Sequence, residues 1–249
     1  FEANEVEHAV FGNVIHTEPR DMYVSRVIAL QAGMDKASAA LTVNRLCGSG
    51  LQAIVSASQI LMLGDASVAM AGGVEVMSNG AHIVQGFRWG SRMGDGQVHD
   101  MMLGALHDPF GHGHMGITAE NISSRYQISR EMQDEFALTS QKRAYEAIEN
   151  GAFKDQILPI EIKTRKGIEI FEIDEHPKPE TSMETLTGLR TAFKKDGVVT
   201  AGNASGINDG ASALVLANEE KAKNGKPLAR VVSYGFGGVD PDEMGMGPV

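Results

Sequence analysis

The stretch Leu51–Leu63 (LQAIVSASQILML) carries no charge and follows the turn Cys47-Gly48-Ser49-Gly50 directly. A helix this apolar around most of its circumference belongs in a core rather than on a surface. Ile54, Ala57, Ser58, Leu61 and Met62 fall at helical spacing and make one broad face. Before the turn, Ala40–Leu46 (ALTVNRL) is strand-like. After the helix, Ser67–Ala71 (SVAMA) reads as a buried strand of a parallel sheet, ended by Gly72-Gly73. Strand, helix and strand at this spacing form a βαβ unit, which predicts an α/β fold.

The flanking chain continues the alternation. His8–His16 reads as a short strand with a Gly-Asn break. Asp21–Gly33 reads as a helix with Val24, Val27, Ile28 and Gln31 on one face, stopped by Gly33. Residues 77–115 lose the rhythm and read as one long irregular stretch, a pattern usually tied to function or disorder. Ser129 predicts an N-cap for a long helix, with Glu131 in its first turn, one face at Met132, Phe136, Ser140, Ala144 and Ile148, and an end at Asn150-Gly151. Residues 167–200 read as exposed strands and loops. Ala211–Ala217 and Arg230–Tyr234 read as two more strands, the first of them buried. Asn208-Asp209-Gly210 reads as a helix-start turn, with Asp209 structural, and Glu75 reads as a buried, hydrogen-bonded structural group.

Composition narrows the function. With 249 residues and 42% hydrophobic content the chain can build a sizeable core in one large or two small domains. The net charge of −10 argues against a dedicated nucleic-acid binder. No apolar run is read as reaching the ~18 residues of a membrane span, so no membrane partner is expected. A single Cys excludes an intramolecular disulfide and a Cys-rich zinc site; it fits a reducing, cytoplasmic setting, and no metal is expected. The chain opens on Phe1 without Met and closes on Val249 just after a Gly-rich turn, so it reads as an internal fragment lacking both ends.

Cys47 sits between a strand and an apolar helix, at or near the helix N-terminus. Unpaired N–H groups there favour thiolate over thiol, and the flanking Gly48 and Gly50 permit a sharp turn and close approach of a substrate. That is the logic of a nucleophile on a strand–turn–helix, as in the hydrolase elbow. On spacing alone a second reading stands beside it, a small inert thiol packed as a hydrophobe.

NRLCGSGLQA, around Cys47, closely resembles the nucleophile loop of the thiolases. Four more segments match in order: GDASVAMAGGVEVMS (64–78), GHMGITAEN (113–121) as the loop lining the acyl pocket, AGNASGINDGASA (201–213) as the pantetheine-contact loop and the helix after it, and VDPDEMGMGPV (239–249) as the start of the C-terminal half. The chain is similar above all to acetyl-CoA acetyltransferases and β-ketothiolases. The resemblance implies a thiolase-like α-β-α-β-α layered fold. Residues 1–76 would be the N-terminal half without its first strand, 77–200 a loop domain, 201–226 a return to the N-terminal half, and 227–249 the start of the C-terminal half.

The same resemblance implies roles. Cys47 would accept the acyl group as a thioester, and a second CoA thioester, deprotonated at Cα, would attack it; the reverse reaction is thiolysis, and the kinetics would be ping-pong. His114 and Met115 would sit beside the acyl and pantetheine groups, with Leu106 offering apolar contact. Ala201 and Ser205 would line the pantetheine path, and Phe193 would pack against it. Thr185 falls where the family often has Ser near the adenine. Lys178 falls where some members have Arg, so the charge is kept and the planar fork is lost. His107 and His112 acquire no role. Substrates would be acetyl-CoA, 3-ketoacyl-CoA and CoA, with no further cofactor. The family forms dimers and dimers of dimers, and residues 77–97, with Arg88, Trp89 and Arg92, match its tetramerisation loop, which implies a homodimer or homotetramer for a complete chain.

Three family segments do not occur in these residues: an NEAF-like Asn, a GHP-like His and a CxGGG-like Cys, the last of which is the acid/base. The 249 residues by themselves are therefore expected to turn over little or not at all. Two other readings stay open: a non-catalytic CoA-thioester-binding protein or scaffold, and a related condensing enzyme of the same superfamily, such as one using a carrier protein.

Overall fold

The computed structural model describes residues 1–223 and 225–249 and divides them into two compact units. The first comprises Phe1–His107 and Ile207–Gly237; the second comprises Asp108–Gly206 and Gly238–Val249.

The first unit is built on β1 (His8–Gly12), α1 (Val24–Gln31), β2 (Ala39–Val43), α2 (Ser49–Leu63) and β3 (Val68–Val76). β1 lies at the centre and pairs in parallel with both β2 and β3, and the strand Asp209–Ala217 adds antiparallel to β3. Alternation along β1 sends Val10 to one face and Ala9 and Phe11 to the other. Val10 meets Ala53, Ala57 and Leu61 of α2, while Ala9 and Phe11 meet Ala29 of α1. The sheet is thus sandwiched between helices, the α/β arrangement that the apolar pattern implies. The small residues on α2 let the helix lie close to the sheet, and Ala53 and Ala57 are completely buried.

Several details depart from the sequence reading. β2 stops at Val43 and leaves Leu46 outside the strand, in a left-handed conformation at φ 45°. β3 runs through Gly72-Gly73 instead of ending there. The reason lies at Gly72, where a Cβ would stand 2.2 Å from the Ser212 carbonyl and 2.4 Å from the Phe11 ring. On α1 the buried positions are Ser25 and Ala29, offset from the Val/Ile face. Ser25 is buried because its hydroxyl donates to the Leu41 carbonyl and accepts from the Phe11 N–H, which ties α1 to the sheet.

α2 is not buried all round. Its sheet side is covered, but Leu51, Met62 and Leu63 are 70%, 77% and 77% exposed, because only one side of the helix meets the sheet. The 18 residues Leu46–Leu63 do satisfy the length and composition of a membrane span, contrary to the sequence reading. The packing of Ala53, Ala57 and Leu61 on the sheet makes this a core helix. Asp209 opens a strand, and no helix starts at 208–210. That strand is an edge and is mostly exposed, so the expected burial of 211–217 does not hold. Residues 230–234 form no strand. Within the stretch read as irregular, His82–Val84 pairs with Val98–Asp100, and α3 (Met101–Ala105) is capped by Asp100, which accepts from the Met102 and Leu103 N–H groups.

The second unit contains α4 (Met115–Tyr126), α5 (Arg130–Glu149), α6 (Met183–Thr187) and the hairpin Ile160–Thr164 with Gly167–Phe171. Residues 113–121 are therefore mostly helix rather than loop. Ser129 caps α5 by accepting from the Met132 N–H, and Gly151 ends it at φ 67°, as the sequence indicates. The buried side of α5 is different from the expected one: Asp134 is fully buried, whereas Phe136 is 77% exposed. A carboxylate outcompetes the apolar stripe here because it has partners, described next.

Candidate active site

The geometry starts with the turn that carries Cys47. The Ser49 hydroxyl accepts from the Arg45 N–H at 2.8 Å and donates to the Leu46 carbonyl at 2.6 Å. The Asn44 side chain accepts from the Leu46 N–H. These bonds hold the left-handed Leu46, a conformation that costs a non-glycine residue ~1–2 kcal/mol. Gly48 is the N-cap of α2, so Cys47 stands one residue ahead of the cap with its side chain exposed. β1 closes in from the side: a Cβ on Gly12 would lie 2.7 Å from Ser49, and one on Gly73 would lie 3.6 Å from the Cα of Gly50. Glycines at these positions let three backbone segments converge on the thiol.

A cavity of about 450 Å³ opens there, lined by Cys47 together with Val14, Ile15, Leu46, Val74, Met77, Ala105 and Leu106, by glycines 12, 50, 73 and 210, and by Ser49, Glu75, Ala211 and Ser212. The structure thus brings Leu106 and Cys47 to one apolar cavity. Sequence reasoning named both but gave no role to Val14 and Ile15, which carry no motif signal, or to Met77, which lies inside the matched segment 64–78. Glu75 is the one acidic group in the lining. It is half-buried, and its carboxylate accepts from the N–H groups of Val14 (3.1 Å) and Ile15 (2.8 Å) and from the Asn13 amide (3.3 Å). Beside the cavity, the strand Asp209–Ala217 is tied at its start: Asp209 accepts from both the N–H and the hydroxyl of Ser78. The hydroxyl bond holds the Asp209 carboxyl below its ordinary pKa.

The remaining candidate residues lie in the second unit. His114 caps α4, its Nδ1 accepting from the Gly116 N–H at 3.0 Å, and its ring stacks on Phe193 with centroids 4.6 Å apart. That stack requires Gly116, where a Cβ would sit 2.2 Å from the Phe193 ring. Met115 begins α4, half-buried. Ala201 and Ser205 are exposed on the loop after Thr200. Thr185 is less free than its suggested role implies, since its hydroxyl completes a capping box with Ser182 on α6. Lys178 is exposed, and its backbone N–H donates to Gln141. The structure brings His114 and Phe193 together, with Met115 next to His114 in the chain; Thr185 and Lys178 stand on separate local elements.

Buried polar residues that the sequence reading passed over hold this unit. Glu120 accepts from the Val198 and Val199 N–H groups at 2.8–3.0 Å, and Gly197 leaves room for it. Asp134 pairs with Arg130 at 2.7 Å and accepts from the Asn203 amide at 3.0 Å. Asn203 in turn accepts from the Thr200 N–H. The 198–203 segment, which presents Ala201, is thereby fixed by carboxylates. The only sequence signal for it is the placement of Asp134 and Glu120 on otherwise ordinary amphipathic helices. Among the described residues no group of three or more His, Cys, Asp or Glu is arranged to hold a metal.

The first unit is thus an α/β sheet that places an exposed thiol, on a strand–turn–helix, in the wall of an apolar cavity. Comparison with known proteins then gives the lineage. The family described as "Thiolase, N-terminal domain" matches residues 1–220, and the chain belongs to the thiolase family. It is 56% identical over 249 residues to Beta-ketothiolase BktB of Cupriavidus necator, covering 99% of this chain and 63% of the relative. Its structure is similar to human mitochondrial 3-ketoacyl-CoA thiolase (TM-score 0.95, 42% identity, 98% of this chain and 63% of that one). It is also similar to the same human enzyme crystallised in complex with CoA (TM-score 0.93, 41% identity, 98% and 62%). The chain spans a little under two thirds of the length of these relatives.

Proposed function

We propose that the protein is an acyltransferase acting on CoA thioesters, as an acetyl-CoA acetyltransferase or β-ketothiolase, with Cys47 as the acyl acceptor. The observation that carries this reading is Cys47 itself: an exposed thiol at the head of α2, in the wall of an apolar cavity. The sulfur attacks the thioester carbonyl of an acyl-CoA. The C–S bond to CoA breaks, CoA leaves as its thiol, and the acyl group remains on Cys47. The second half-reaction, in which a thioester carbanion takes the acyl group and the Cys47 sulfur leaves as thiolate, needs a base for the Cα proton. The family supplies it from the CxGGG-like Cys, which does not occur in these residues, so the 249 residues by themselves should stop at the acyl-enzyme. Leu106, in the same cavity, receives the acyl chain.

The remaining assignments follow the family resemblance. His114 and Met115 contact the acyl–pantetheine region, Phe193 packs on the pantetheine arm, and Ala201 and Ser205 flank it. Lys178 and Thr185 serve the nucleotide end. Names of the relatives support CoA thioesters as substrates, and the human relative crystallised in complex with CoA supports CoA as a ligand. The substrate is itself the CoA derivative, so no further cofactor is invoked. A cytoplasmic setting and a homodimeric or homotetrameric state complete the proposal.

The test is direct. The protein is incubated with acetyl-CoA, quenched in acid, and the peptide containing Cys47 is weighed. One acetyl group on that peptide, absent from Cys47→Ala, is the expected result. CoA-thioester binding without acetylation would replace this reading with that of a binding protein.

A further inference from the structure

The carboxylate in the cavity wall has a use beyond the chemistry of the thiol. β1 and β3 run parallel, with Gly12 opposite Gly73. Beyond Gly12 the ladder to β3 does not simply continue. Asn13 is buried; its backbone N–H goes to Val43 on β2, while its side-chain amide donates to the Val74 carbonyl at 2.9 Å. The next two N–H groups, of Val14 and Ile15, turn onto the Glu75 carboxylate. One side chain at the end of β3 therefore terminates β1 and fixes the path of 13–15. Val14 and Ile15 are wall residues of the cavity that Cys47 also lines. Bonds from N–H groups to an ionised carboxylate are stronger than neutral ones, and removing the acceptor would strand two backbone donors at the edge of an apolar space.

We propose that Glu75, acting with Asn13, is the positioning residue of this cavity: it sets the 13–15 wall and so determines which apolar groups are admitted beside Cys47. The functional meaning rests on the reading of Cys47 as acyl acceptor. The structural role does not, and the test separates the two.

Cys47 is the only thiol in the chain, so alkylation by a matched pair of reagents reads the cavity directly. N-methylmaleimide and N-hexylmaleimide carry the same reactive group and differ in apolar length. In the unaltered protein the hexyl reagent should react ~10-fold faster, the gain from burying a couple of methylenes. Glu75→Ala should bring the ratio of the two rates close to one. Glu75→Gln keeps one acceptor but turns an amide NH₂ toward N–H donors, so its ratio should fall between. Leu61→Ala, a core change outside the cavity lining, should lower thermal stability and leave the ratio intact. If Glu75→Ala fails to fold, the Glu75→Gln ratio decides. An unchanged ratio in the Glu75 variants overturns the proposal. A fall in both rates at constant ratio also overturns it, since the carboxylate would then be acting on the thiol and not on the wall. Acetylation of Cys47 by acetyl-CoA, measured separately, reports on the acyl-acceptor reading whatever the ratio shows.

Discussion

The two units are held together by different physics. In the first, the buried residues are mainly apolar: Val10, Phe11, Ala53, Ala57, Val68 and Ala69 pack two helices on a sheet. In the second, the buried apolar side chains are Leu186 and Val199, whereas Thr118, Glu120, Asp134 and Thr200 are buried polar groups. The first unit presents the exposed Cys47 thiol on a turn held by Ser49 and Asn44. The second shapes loops, and loops cannot bury enough apolar surface to fix themselves, so carboxylates collect their backbone donors instead. One consequence is unequal tolerance: the apolar core can absorb a lost methyl, but the polar network cannot lose an acceptor.

The largest test of that contrast is Asp134→Ala. It removes, from a fully buried position, the carboxylate that pairs with Arg130 and accepts from the Asn203 amide, leaving Arg130 only the Leu186 and Leu189 carbonyls and Asn203 only the Val198 carbonyl. Breaking a buried pair on one side costs ~3–5 kcal/mol. Denaturant unfolding should show a loss of this size, with amide exchange in 198–203 rising most. A cost below about 1 kcal/mol would mean that the second unit does not depend on its carboxylates.

Gly72→Ala is the counterpart in the first unit. The added methyl would overlap the Ser212 carbonyl and the Phe11 ring. Overpacking of a core typically costs ~1–3 kcal/mol. The expected signature is a lowered melting temperature together with loss of exchange protection along Asp209–Ala217. A neutral effect would show that this edge strand is held less tightly than the register implies.

The same contrast explains what the sequence reveals. Apolar period and turn chemistry are local, so β1, α2, the Ser129 cap and the Gly151 stop are legible from the letters alone. The Cys47 turn is legible too, because glycines flanking a cysteine between a strand and a helix leave few alternatives. Asp134 and Glu120 are not: the pair of Asp134 with Arg130 reads like any surface i,i+4 pair, and the partners Asn203 and Val198 lie 69 and 78 residues away. The apolar stripe of α5 misleads for the same reason: Phe136 looks like core until Asp134 is seen to own the inner face. The continuation of β3 through Gly72-Gly73 was hidden because glycine signals a turn locally, whereas here it answers a close approach from Phe11 and Ser212.

A smaller effect is expected at Gly116→Ala. The methyl collides with the Phe193 ring, which must leave its stack on His114. On the proposed assignment of Phe193 to the pantetheine arm, CoA affinity, measured by calorimetry, should weaken by roughly tenfold, on the scale of an aromatic contact worth ~0.5–1.5 kcal/mol. An unchanged CoA affinity would remove Phe193 from the proposed pantetheine site.

The smallest effects are those of pH, and they have opposite signs in the two units. In the second, His112 bonds to Asp242, which raises the imidazole pKa; Asp108 and Asp240 add to the shift. Its folded value lies above the ordinary ~6.5. The contact therefore contributes fully below that ordinary value and is lost as pH rises through the folded one. It helps hold Pro241–Met246 on α4, alongside the Asn121 bond to the Asp242 carbonyl and the Arg125–Glu243 pair. In the first unit, Asp209 has a lowered pKa, so its tie to Ser78 contributes above the ordinary carboxylate value of ~3.9 and is lost as pH falls through the folded one. Exchange protection, corrected for intrinsic rates, should thus fall in 240–249 as pH rises through the folded imidazole value and in 77–79 as pH falls through the folded carboxyl value. His112→Gln should abolish the first trend and leave the second. If both segments loosened at the same end of the pH range, the two ties would not be independent, and the division between an apolar unit and a polar one would not extend to their charged contacts.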